Sequence, residues 1–152
     1  MPGTFSQIYI QVVFAVQNRD ALINPVWEER LYQYITGIVQ NKDQKMIAIN
    51  GTSDHIHFFI GMKPGCCLSD LVREVKKASN SFIKENRFTK LKFRWQEGFG
   101  AFSYSHSQID SVVKYIHSQK VHHKKRYFKD EYIQLLKKFN IQYDEKYLFD
   151  WI

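Results

Sequence analysis

The chain has 152 residues, of which 44% are hydrophobic and 16% aromatic, and this predicts one globular domain, residues 1–152, rather than a disordered chain. Its 22 Lys and Arg against 15 Asp and Glu give a formal net charge of +7, which favours a polyanionic partner, either nucleic acid or a membrane surface. No apolar run approaches the roughly 18 residues of a membrane span, and we expect no signal peptide. The adjacent Cys66 and Cys67 do not predict a structural disulfide, so the cytoplasm fits best.

The first half of the chain predicts a strand, a helix and a hairpin. Residues 5–16 alternate Ile and Val with other side chains, which is typical of a long strand. Asn24 and Pro25 predict the start of a helix, with apolar residues at helical spacing after them. Residues 45–51 predict a second strand, and a short turn leads from it into a third strand that begins at His55.

The next elements complete a recognisable order. An amphipathic helix is predicted from Leu68, and a short strand at residues 92–95 is extended by residues 101–104 after a glycine break. The order strand, helix, strand, strand, helix, strand predicts an α+β fold, the ferredoxin-like split βαβ antiparallel sheet. In that topology the first and third strands are central, and two helices cover one face of the sheet.

The last third predicts two more helices and an aromatic tail. A third helix begins after Ser107, where residues 107–110 resemble a capping box. A fourth helix is predicted at roughly residues 129–139. The tail, residues 141–152, is rich in Tyr, Phe and Trp, and we expect it to dock on the body or on a second subunit.

His55 and His57 are the pair of side chains that most clearly indicates a possible metal site. Successive side chains of a strand point to opposite faces, so the two imidazoles share one face. Two imidazoles at this spacing can reach one metal ion. The alternative is that both are polar residues on the solvated face of a half-buried strand.

The His55-Ile56-His57 element, preceded by Asp54, and the downstream Tyr115-Ile116-His117-Ser118-Gln119 resemble the single-tyrosine HUH transposases of the IS200-like group. These are small enzymes of insertion sequences that move as single-stranded DNA. The resemblance covers nearly the whole chain and includes the segments 95–103 and 128–132. His-x-His alone is a weak signal, whereas His-x-His with a later Tyr-x-x-x-Gln in this element order is a strong one. Ser118 stands where we expect Asn in this family.

The resemblance implies a metal site and a nucleophile. His55 and His57 would bind a divalent metal with Gln119 as the third ligand, and nitrogen and oxygen ligands without thiolate suit Mg²⁺ or Mn²⁺. Tyr115, on a C-terminal helix across the open sheet face, would attack a backbone phosphate and leave a 5′-phosphotyrosine link and a free 3′-OH. The alternatives are a helix-surface aromatic for Tyr115 and a solvated side chain for Gln119.

Basic residues form the expected DNA contacts. A first group would hold the DNA hairpin that the family recognises at element ends, and a second group beside the tyrosine would grip the scissile strand. These residues are Arg73, Lys76, Lys77, Lys92 and Arg94 in the first group, and Lys120, His122, Lys124, Lys125 and Arg126 in the second. The alternative for each is an ordinary solvated charge. Trp95 and Phe99 could stack on bases or pack in the core, and His122 and His123 could be rival metal ligands.

The resemblance therefore implies a metal-dependent single-stranded DNA transposase of the bacterial or archaeal cytoplasm, associated with the nucleoid, that recognises hairpin ends and works as a homodimer. Two rival functions are a non-catalytic ferredoxin-like nucleic-acid-binding module and a host-recruited transposase-derived protein that acts on genomic repeats. The two-histidine phosphoesterases require two His-x-Thr or His-x-Ser motifs, which the sequence lacks. Replication initiators and relaxases share the chemistry but usually have longer chains.

Overall fold

A computed structural model describes residues 3–125 and 127–151, with the side chains of Arg19, His123, Lys124 and Lys125 left out of the description. Its centre is a four-stranded antiparallel sheet in the order β2-β3-β1-β4. The strands are β1 (Tyr9–Ala15), β2 (Lys45–Gly51), β3 (His55–Gly61) and β4 (Gly100–Tyr104). The predicted α+β fold is confirmed, with the first and third strands in the centre of the sheet.

Two long helices, α1 (Pro25–Asn41) and α2 (Leu68–Glu85), cover one face of the sheet. The Asn24 side chain accepts a hydrogen bond from the Val26 amide and Pro25 opens the helix, as the sequence predicts. Alternate residues of the central strands point into this layer, among them Phe14 and Phe58, which are fully buried. Trp95 packs edge-on against Phe14 at 4.7 Å in the same core, so the core-packing interpretation of Trp95 is correct.

The opposite face of the sheet carries α3 (Ile109–His117), α4 (Gln119–Lys125) and α5 (Phe128–Lys138). Val112 and Ile116 of α3 pack on Phe59 of β3. The aromatic tail packs beside α5, where Phe149 joins a cluster with Phe128 and other buried residues. The tail therefore docks on the body of the same chain, one of the two placements expected for it.

Three boundaries differ from the predictions. The first strand begins at Tyr9 instead of residue 5, and residues 92–95 contribute only an isolated bridge between Trp95 and Val16. Gly98, with φ of 82°, lies in the irregular segment between this bridge and β4, which continues along β1 in the same direction. The capping box uses Ser105 and Gln108, two residues before the predicted one, and opens a short 3₁₀ turn that precedes α3.

None of the helices in the described part of the chain is long and apolar enough to cross a membrane.

Candidate active site

Strand β3 buries the two histidines side by side. His55 and His57 are both 0% exposed, and their ring centroids are 5.1 Å apart. Phe128 of α5 stacks on the His55 ring at 3.8 Å, and the Tyr115 ring of α3 meets His57 edge-on at 5.7 Å. The interpretation of the pair as polar residues on a solvated face is therefore wrong, because the helices of the second layer cover that face.

The Nδ1 atom of each imidazole is held by a neighbouring side chain. His55 Nδ1 lies 2.7 Å from Asp54 Oδ1 and 3.0 Å from Thr52 Oγ1. A carboxylate on Nδ1 fixes the proton there and leaves the lone pair on Nε2. The Gln11 amide bridges His57 Nδ1 and the Tyr104 hydroxyl, at 2.9 and 2.7 Å. Gln11 Nε2 donates to His57 Nδ1 while Gln11 Oε1 accepts from the Tyr104 hydroxyl, so the neutral His57 imidazole carries its proton on Nε2, facing Glu131.

Both Nε2 atoms face a glutamine and a glutamate. Gln119 Oε1 lies 3.0 Å from His55 Nε2, while Glu131 Oε1 lies 2.8 Å from His57 Nε2 and 3.9 Å from His55 Nε2. Gln119 is 0% and Glu131 2% exposed. His57 Nε2 and Glu131 Oε1 form a close contact but no well-directed hydrogen bond within the described residues. His55, His57 and Glu131 can therefore bind a metal ion, with ligand atoms within 4.8 Å of one another.

The protonation states of this cluster suit a metal ion. Burial lowers the pKa of His57, although the neighbouring Glu131 carboxylate opposes that shift. Burial on its own raises the pKa of Glu131, but contact with His57, the charge of His55 and a hydrogen bond from Tyr115 together lower it to about 2. A neutral imidazole and an ionised carboxylate are the forms that ligate metals.

Glu131 was not among the residues that the sequence predicted for the site. It lies in the first turn of α5, on the buried stripe that Phe128, Tyr132 and Leu135 also form. A carboxylate on the buried stripe of an amphipathic helix is rarely left without a partner. That pattern was the available signal, but nothing in it indicates which strand the carboxylate faces.

Gln119 reaches His55 because the helix that carries Tyr115 is interrupted. The sequence predicts both residues on one helix, but α3 ends at His117 and α4 begins at Gln119. Asn50 of β2 donates from its Nδ2 to the carbonyls of Ile116 and His117, at 3.0 and 3.2 Å. These last carbonyls of α3 would otherwise lack partners, so a strand side chain fixes the position of the break.

Tyr115 lies at the edge of the same cluster and contacts His57 of the same chain. Its hydroxyl contributes a hydrogen bond to Glu131, and its ring lies 5.1 Å from that of His122. The site thus combines Tyr115, His55, His57, Gln119 and Glu131 from one chain. His122 stands beside the tyrosine, outside the group that can hold a metal.

The basic residues predicted for the hairpin line one cleft of about 980 Å³ between α2, residues 92–99 and the tail. Lys77, Lys92 and Arg94 line it, as does Arg73, whose guanidinium pairs with Asp70 at 2.6 Å. Lys76 differs, because its ammonium donates to the carbonyls of Gln96 and Gly98, at 2.8 and 2.6 Å. Burial lowers the pKa of Lys76 to about 8.

The basic residues predicted beside the tyrosine are only partly described. The Lys120 ammonium is held by Glu28 at 3.2 Å and by Asn50 Oδ1 at 3.1 Å, so it links α4 to α1 and β2. The side chains of Lys124 and Lys125 and the whole of Arg126 lie outside the described residues.

Comparison with known proteins identifies the family and supports the fold. The family model "Transposase IS200 like" matches residues 4–119. A candidate transposase from Deinococcus radiodurans R1 superposes with a TM-score of 0.62 at 17% identity, covering 77% of this chain and 94% of the other. A REP-associated tyrosine transposase bound to a REP hairpin superposes with a TM-score of 0.59 at 18% identity, covering 79% and 71%. No curated protein matches the chain at a significant level.

Proposed function

The chain belongs to the IS200-like transposase family, and from this premise we propose that it cleaves and rejoins single-stranded DNA by tyrosine transesterification, with Tyr115 as the nucleophile. The observation that carries the proposal is the buried cluster of His55, His57, Gln119 and Glu131 beside the Tyr115 ring. Four polar side chains are costly to bury unless they are paired, and a bound metal ion would pair them.

We propose that these four side chains hold one divalent cation, Mg²⁺ or Mn²⁺. The donor set fits, because it contains two imidazole nitrogens, an amide oxygen and a carboxylate oxygen, with no thiolate. An octahedral ion with bonds of about 2.1 Å has neighbouring ligand atoms about 3 Å apart. The separations of 2.8 Å between His57 and Glu131 and 3.0 Å between His55 and Gln119 match that spacing. When bound, the ion supplies Lewis-acid stabilisation of the charge that develops on the phosphoryl group.

The chain's own residues account for the covalent step. The Tyr115 oxygen forms a bond to phosphorus while the bond from phosphorus to the 3′-oxygen breaks, which gives a 5′-phosphotyrosine and a 3′-hydroxyl. Glu131 holds the Tyr115 hydroxyl by a hydrogen bond, which orients the oxygen, and the phenol proton passes to solvent. The leaving 3′-oxygen gains a proton. Attack by a second 3′-hydroxyl reverses the step and joins new ends without an external energy source.

We propose hairpin-ended single-stranded DNA as the partner, in the cytoplasm of a bacterial or archaeal cell. The REP-associated relative is bound to a REP hairpin, and the cleft with Lys77, Lys92 and Arg94 offers this chain a cationic surface for a similar duplex. The homodimer stays a prediction. Because Tyr115 and the ligands come from the same chain, a dimer would pair two complete sites and bring two DNA ends together.

The test is formation of a covalent adduct. The protein is incubated with labelled single-stranded DNA from its own genomic flanks, with and without Mg²⁺, and run on a denaturing protein gel. We expect a metal-dependent band that the Tyr115→Phe variant lacks while its DNA binding stays near normal. Tyr34→Phe, on α1 across the sheet, is the matched control and should form the band as the wild type does.

Two outcomes would contradict the proposal. A band that persists in Tyr115→Phe would move the nucleophile to another residue. Tight binding without a band for any flanking substrate would favour the non-catalytic binding module.

A further inference from the structure

The proposed ligands are buried, so a phosphodiester needs an opening to reach them. Two adjoining cavities, of about 520 and 310 Å³, are both lined by Tyr115, Leu135 and Lys138. Glu131 also lines the larger cavity. The two cavities therefore form one groove between α3 and α5, the α3–α5 groove, with the tyrosine between them and a proposed metal ligand in its wall.

The α5 side of this groove is cationic. Lys137 and Lys138 line it and are exposed, and within the described residues neither forms an ion pair. The Lys138 ammonium lies 5.8 Å from the Tyr104 centroid and 5.6 Å from the Phe139 centroid.

The α3 side of the groove is polar and uncharged. Gln108 and Ser111 line the smaller cavity there. Glu131 is the one carboxylate among the described lining residues, and it faces inward to His57. A channel with lysines on one wall and neutral hydrogen-bonding groups on the other suits a chain of phosphates better than a cationic or apolar ligand.

We propose that the α3–α5 groove is the track of the scissile strand and that Lys137 and Lys138 contact phosphates beside the one that Tyr115 attacks. This inference rests on the proposed function and adds the surface by which the strand approaches. Lys137 and Lys138 take the place proposed for Lys120 as phosphate contacts beside the tyrosine, because the Lys120 ammonium is already held by Glu28 and Asn50.

A second role for the two lysines is purely structural. They lie in the last turn of α5, where positive charge stabilises the helix dipole. Lys84 occupies the same position in α2, on the opposite face of the sheet, and lines neither cavity. Lys84 together with the exposed Lys90 therefore gives a control with the same change in charge.

The experiment measures binding of a short fluorescein-labelled single strand of mixed sequence by anisotropy at several salt concentrations. Each phosphate contact contributes about 0.7 to the slope of log K against log salt for a single strand. The variant Lys137→Glu with Lys138→Glu should lose about 1.4 of this slope. The variant Lys84→Glu with Lys90→Glu should keep the wild-type slope. An equal loss of slope in both variants, or no loss of slope in either, would contradict the proposal that the strand follows the α3–α5 groove.

This readout is separate from that of the proposed chemistry. A wild-type adduct together with an unchanged slope in the α5 variant would reject the groove and keep the transesterase. No adduct together with the expected loss of slope would keep the groove and reject the transesterase.

Discussion

Glu131 is the residue at which the proposed chemistry is best tested, since it contacts both His57 and the Tyr115 hydroxyl. The Glu131→Gln variant keeps the shape of the side chain but removes the only anionic group among the four proposed metal ligands. We expect binding of Mn²⁺ to weaken at least tenfold, in the range of about 10–100-fold that changes around metal sites produce. The measurement is the rise in melting temperature with added Mn²⁺ in the absence of DNA, because a ligand at 100 times its Kd stabilises a protein by about 2.7 kcal/mol.

Glu74→Gln is the matched control, because Glu74 lies on α2 away from the site. It should leave the response to Mn²⁺ unchanged. If Glu131→Gln responded to Mn²⁺ as the wild type does, Glu131 would be a positioning partner of Tyr115 and not a ligand.

The sequence predicted most members of this site but not their contacts. His55 and His57 share a face because a strand alternates, and the spacing of four residues predicts that Tyr115 and Gln119 are neighbours on one helix. Each of those relations is local. The position of Glu131 depends on how α5 docks on the sheet, which local spacing does not determine. The burial of the histidines also depends on this docking.

At the scale of elements, the interruption between α3 and α4 brings Gln119 to the histidines. Asn50 fixes the position of this interruption, because it donates hydrogen bonds to the Ile116 and His117 carbonyls and accepts one from Lys120. Asn50→Ala leaves these carbonyls to solvent and frees α4 to drift. We expect Mn²⁺ affinity and the rate of adduct formation to fall at least tenfold, since small misplacements at a reaction centre cost up to about 100-fold.

The free energy of unfolding should change much less, by about 1 kcal/mol, because Asn50 is only partly buried. Urea denaturation measures this change alongside the two functional assays. Asn41→Ala, at the exposed end of α1, is the control for loss of an Asn side chain. A large loss of stability with normal chemistry in the folded fraction would show that Asn50 only supports the fold.

The predicted elements differ in how well local patterns define them. The helix starting at Asn24 and the hairpin from β2 to β3 are specified by caps, turns and alternation, and the structure reproduces them. Residues 92–95 have the composition of a strand but form only one bridge, because they lie opposite the end of β1 and the residues that follow it, whereas β4 pairs with residues 9–13. Where the partner strand ends is a tertiary effect that the local pattern of residues 92–95 does not contain.

At the scale of the whole molecule, the net charge of +7 overstates the charge available to DNA. Lys120 and Lys76 are held by groups of the protein itself, one by Glu28 and one by backbone carbonyls. Lys77 lines the same cleft as Lys76 but is exposed. Position in the folded chain therefore decides which cations can bind phosphates, and a count of basic residues does not.

Adjacent Lys76 and Lys77 allow this distinction to be tested in one pair of variants. Lys76→Met removes the donor to the Gln96 and Gly98 carbonyls and should lower the free energy of unfolding by about 2 kcal/mol, since hydrogen bonds to charged groups contribute about 1.5–3 kcal/mol. Lys77→Met should change stability by less than about 0.5 kcal/mol, as exposed substitutions do. It should instead reduce the salt slope of hairpin binding by about 0.9, the value of one phosphate contact on a duplex. Urea denaturation and anisotropy with a labelled hairpin measure the two effects. If both variants lost slope equally and neither lost stability, the Lys76 ammonium would leave its carbonyls to bind phosphate, and the cleft would rearrange around DNA.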